Sequence, residues 1–72
     1  MKVTEIKAIL KPLGILQGIN LYPDEPTSGF HYVSVAKGGK TRAIEALKAA
    51  GADAMPVPAC SNVYGDNLQV RR

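Results

Sequence analysis

The chain has 72 residues, nine Lys and Arg against six Asp and Glu for a formal charge of +3, and a hydrophobic fraction of 46%. A chain this short buries only about 60% of its unfolded surface, which excludes a second domain built around an enzyme's cleft and leaves one thin core. The apolar content excludes a disordered tail, and the charge tilts partner choice toward anions without the density of a dedicated nucleic-acid arm.

The first predicted element is a helix capped by Thr4, with Ile6, Ile9, Leu10 and Leu13 on one apolar stripe and Glu5, Lys7 and Lys11 facing away. Pro12 and Gly14 close it, because proline lacks the N–H its turn would donate and crowds the carbonyl four residues back. From Ile15 the period changes to two, with Ile15, Ile19 and Leu21 on one face, which predicts a strand. "PDEPTSG" breaks it, and "FHYVSVA" has the aromatic and β-branched content of a second strand, so the pair reads as a hairpin with a long loop. After "KGGK", Thr41 is placed as the cap of a second helix with Ile44 and Leu47 among alanines, ending at Gly51. "MPVPA" predicts a short third strand whose Pro56 and Pro58 leave one edge without donors, which puts it at the border of the sheet. "NLQVRR" predicts the fourth.

A shift of 37 residues aligns Thr4 with Thr41, Leu10-Lys11 with Leu47-Lys48, Gly14 with Gly51 and Val33 with Val70. The expectation is a single domain over 1–72, read as two pseudo-repeats, 1–36 and 37–72, each helix–strand–strand. Joined about a pseudo-two-fold axis, they make an α+β fold: a four-stranded antiparallel sheet of order 3-4-2-1 with both helices on one face, a permuted ferredoxin-like arrangement. The helices are then expected over Ile19, Leu21, Val33, Val35, Met55, Val57, Leu68 and Val70. The opposite face, expected to be open, carries Asn20, Tyr22, Phe30, Tyr32, Ser34, Pro56, Pro58, Gln69 and Arg71, a composition suited to contact.

Ser34 stands where a nucleotide-binding P-loop ending in "GGKT" needs its first glycine, so an ATPase reading fails. A weaker one survives, in which the start of the second helix with Lys37, Lys40 and Arg42 holds one phosphate; the competing reading is a glycine-rich connector with solvated lysines. Tyr22, Phe30 and Tyr32 on an open sheet can stack bases of single-stranded nucleic acid, with Arg71 meeting phosphate. The same rings equally suit a homodimer or a protein partner.

His31 shares parity with Val33 and Val35 and has no carboxylate pair beside it. Cys60 lacks a second cysteine for a disulfide or a zinc site, which together with the absence of a signal-like N-terminus gives a cytoplasmic expectation. Adjacent Asp24 and Glu25 read as solvated loop acids. No catalytic constellation, cofactor or metal site is expected, and no apolar run is long enough for a membrane.

The resulting expectation is a small non-enzymatic module that binds nucleic acid. The alternatives are a protein-interaction module, either a homodimer or a small inhibitor of the kind that phages and other mobile elements encode against a partner's anion-binding surface, and a small-molecule or nucleotide binder.

Overall fold

The computed structural model describes residues 1–20, 29–57 and 66–72. Leu21, Tyr22, Asp24, Glu25, Pro58 and Cys60 lie outside the described residues. The first helix, α1 (Val3–Leu10), runs about two turns before a 3-10 turn over Lys11–Leu13 that holds Pro12. Gly14 then reverses the chain at φ 71°, a conformation glycine adopts without steric cost. The strands are β1 (Leu16–Ile19), β2 (Phe30–Val35), β3 (Ala54–Pro56) and β4 (Asp66–Arg71), with α2 (Lys40–Ala49) between β2 and β3. They form one antiparallel sheet in the order β1-β2-β4-β3.

Both helices pack on one face. Ile6 and Leu10 of α1 and Ala43 and Leu47 of α2 are fully buried against Val33, Val35, Leu68 and Val70, all at 0% exposure. Cross-strand register explains the match: Val33 sits opposite Leu68, and Val70 opposite His31 and Ala54, so their side chains share the helix-facing surface. Several positions 37 apart behave alike. Ile6 and Ala43 are buried, Leu10 and Leu47 are buried, and Gly14 and Gly51 are both left-handed.

Three local expectations are corrected. Thr4 and Thr41 do not cap the helices. Lys2 precedes α1 and its N–H donates to Glu5 Oε1 at 3.0 Å, while Gly39 is the N-cap of α2 with no side-chain bond to the helix. In β1 the register shifts between Leu16 and Gly18, so Leu16 and Ile19, three apart, face the helices together opposite Val35 and Val33. In β3 the faces are reversed: Met55 lies opposite Gln69 on the helix-free face, and Ala54 and Pro56 lie opposite Val70 and Leu68 on the helix side. A three-residue strand of uniformly apolar residues has no alternation to read. Packing decided it, because the small Ala54 fits beneath α2.

Gly39 is a tight spot. A Cβ there would stand 3.1 Å from the Ala36 carbonyl oxygen and 3.2 Å from Ile15 Cβ and Cγ2. Gly39→Ala is therefore expected to destabilise the fold by about 1 kcal/mol, lowering the melting temperature by about 5 °C. An unchanged melting curve would mean that Ile15 gives way freely.

Candidate binding surfaces

The exposed end of the helix-free face is organised around Arg71. It lies directly opposite Phe30 across β4 and β2, and its guanidinium carbon is 4.9 Å from the ring centroid. Asp53, just before β3, accepts from Arg71 Nε at 2.8 Å, and its carbonyl accepts the Arg71 backbone N–H at 3.0 Å. Arg72 Nε donates to the Phe30 carbonyl at 3.0 Å. Arg71 keeps 59% of its side chain exposed, so the ion pair is worth only about 0.2–1 kcal/mol, and its main effect is to hold the guanidinium over the ring. One face of Phe30 is thereby already occupied.

Tyr32 departs most from expectation. Its side chain points away from the helices, as its pairing with Gln69 requires, yet the residue is only 3% exposed. Ser34 at 2% and its cross-strand partner Asn67 at 0% are buried beside it. Ser34 Oγ has no hydrogen-bond partner among the described residues. The centre of this face is thus closed, and Tyr32 does not present a ring for stacking. Tyr22, its expected neighbour, lies outside the described residues. Phe30, Met55 and Gln69 remain half-buried around the closed centre.

The "KGGKTR" turn has a structural explanation for each glycine. Gly38 adopts φ 86° and Gly39 fills the close approach described above. The turn also already holds an anion of its own: the Gly38 N–H donates to Asp66 Oδ2 at 2.7 Å. Lys37 and Arg42 are exposed and Lys40 is half-buried beside it.

His31 is half-buried on the helix side, and burial, followed by the Arg72 charge, lowers its pKa from the ordinary histidine value. It contacts Asn20, which closes β1 rather than lining an open surface. Among the described residues no group of His, Cys, Asp and Glu is arranged to hold a metal, and no helix is long and apolar enough to cross a membrane.

Charge is distributed unevenly between the two sides. Among the described acids, Glu5 accepts the Lys2 N–H, Asp53 pairs with Arg71, and Asp66 accepts the Gly38 N–H. Only Glu45 keeps a carboxylate uncommitted. Among the described residues Arg71–Asp53 is the single ion pair, which leaves the exposed cations Lys7 of α1, Lys11 of the 3-10 turn and Arg42 and Lys48 of α2 facing solvent with no described acid holding them. These cations lie on the elements that cover one sheet face, and on α2 the exposed Glu45 lies between Arg42 and Lys48, on the side opposite the buried Ala43 and Leu47. Sequence reasoning put the basic contacts on Arg71 of the sheet and on Lys37, Lys40 and Arg42 at the start of the second helix, and passed over Lys7, Lys11 and Lys48; the available signal was the Lys7–Lys11 and Arg42–Glu45–Lys48 helical spacing on the polar sides of both stripes. No known protein family, curated protein or solved structure matches this chain.

Proposed function

We propose that this protein is a small non-enzymatic binding module that receives an anionic partner on the outer side of its helical layer, and that the partner is a nucleic acid held by its phosphates. One observation carries the reading: three of the four described acids, Glu5, Asp53 and Asp66, are engaged in internal contacts, so that Lys7, Lys11, Arg42 and Lys48 face solvent with Glu45 as the one uncommitted described acid among them. Lys37, Lys40 and Arg42 at the head of α2 extend this surface. Base stacking is at most a contact on the free side of Phe30, since Tyr32 is buried and Arg71 lies over the other side of the Phe30 ring.

Binding through three or four phosphates makes affinity fall with salt along a log–log slope of about −2 to −3. Anisotropy of a labelled mixed-sequence single strand is therefore expected to show a loss of roughly 15- to 60-fold between 50 and 200 mM salt, with little dependence on sequence. No retention at the lowest salt ends the proposal.

A protein partner is the second reading, favoured by Phe30, Met55, Gln69 and Arg71 around the rim of the helix-free face, an aromatic-and-arginine grouping common at interfaces. Such a partner would meet a face rather than extend the sheet. β1 is short and bulged, and the β3 edge carries Pro56, both of which discourage strand addition. A homodimer would appear in sedimentation as a stable larger species insensitive to salt, whereas a small inhibitor of a partner's anion-binding surface would sediment alone as a monomer that ignores nucleic acid.

The same proposal extends to architecture and setting: two α-β-β pseudo-repeats forming a permuted ferredoxin-like fold, in the cytoplasm. The matched burial of Ile6 with Ala43 and Leu10 with Leu47 supports the first part.

A further inference from the structure

Asn20 follows β1 in the left-handed region at φ 53°, which asparagine tolerates better than most residues. It is held there from two sides. Its backbone N–H donates to the Tyr32 carbonyl at 2.7 Å, and its Oδ1 accepts the Tyr32 N–H at 2.9 Å. With the side-chain oxygen committed to a backbone donor, the amide orientation is settled and Nδ2 is the atom that meets His31 Nδ1, at 3.3 Å. An amide nitrogen can only donate, so His31 Nδ1 must offer a lone pair and the ring proton must sit on Nε2.

We propose that Asn20 and His31 form a proton-sensitive clasp: a proton on Nδ1 sets N–H against N–H, opens the contact and releases the end of edge strand β1 from β2. The groups facing His31 give the cation no counter-charge. They are Arg72 beyond β4, the amino group and carbonyl of Met1 ahead of α1, Asn20, and the uncharged Val70 directly opposite on β4. Among the described residues no carboxylate acts on the ring. Burial and the Arg72 charge accordingly lower the folded-state pKa below its unfolded value, so the unfolded chain binds the proton first. Stability is then full above the unfolded pKa and declines as pH falls toward the folded one. The loss centres on β1, where Ile19 packs on the core and, among the described residues, β2 is the one strand beside it.

Because His31 is the only histidine, its ring signals are unambiguous in a pH titration by NMR. The expected result is a neutral ring with Nδ1 unprotonated, a Tyr32 amide and an Asn20 side-chain amide that shift with the His31 midpoint, and faster exchange of the Tyr32 amide below it. A neutral ring carrying its proton on Nδ1, or a Tyr32 amide indifferent to the His31 titration, overturns the proposal. Asn20→Asp supplies a test of sign. Its carboxylate can still accept the Tyr32 N–H while its other oxygen accepts the new Nδ1–H, so the His31 midpoint should rise by about one pH unit and the Tyr32 amide should stay protected in acid. An unmoved midpoint in the folded variant counts against the clasp, and if the variant does not fold the wild-type titration decides alone.

Discussion

Tyr32→Ala is expected to destabilise the protein by about 3 kcal/mol or more and to lower its melting temperature by roughly 15 °C. The ring is almost wholly withdrawn from water, at 3% exposure, and deleting a buried aromatic removes both its transfer energy and the contacts around the space it leaves. A domain of this size has a total stability of only about 4–10 kcal/mol, so the variant should be barely folded at 37 °C. Tyr32→Phe, which keeps the ring, should retain most of the stability. Denaturant unfolding measures both. A loss below about 1 kcal/mol for the alanine variant would mean that the ring is solvated and available, and stacking on the sheet would return as the leading mode of contact.

The second large effect concerns binding. Lys7→Glu combined with Lys48→Glu should weaken oligonucleotide binding roughly 50-fold at low salt, because each reversal removes a phosphate contact and adds a repulsion. Both side chains are exposed and unpaired among the described residues, so the double variant should melt within a few degrees of wild type. Arg71→Glu is the contrasting change. Arg71 is committed to Asp53 and Phe30 on the other side of the sheet, and its reversal should reduce affinity by no more than about 5-fold. If the order of these two effects is inverted, the nucleic acid lies on the sheet rather than on the helices.

Much of the architecture was legible from periodicity and from residues with narrow conformational choices. The stripe of Ile6 and Leu10 and the alternation of Val33, Val35, Leu68 and Val70 placed the main core, since amphipathic spacing states which sides must leave water together. Pro12, Gly14 and Gly51 marked ends of helices because proline cannot donate and glycine reverses the chain cheaply. Pro56 marked the edge strand for the same lack of a donor. The candidate surface was harder to read. Alternation correctly turned Tyr32 away from the helices, but a side without a helix was equated with a side open to solvent, and the burial of Tyr32, Ser34 and Asn67 shows that the two differ.

Sequence by itself therefore determined the kinds and order of the elements and the residues of the helix-side core, because these follow from local sterics and from the period of apolar side chains. Only the tertiary structure decided which way Met55 and Pro56 face, that Asp66 fills the Gly38 turn, that Asn20 locks Tyr32 and meets His31, and which cations pair with no acid among the described residues. Each of these depends on a distance between residues far apart in the chain, and a linear pattern carries no such distance.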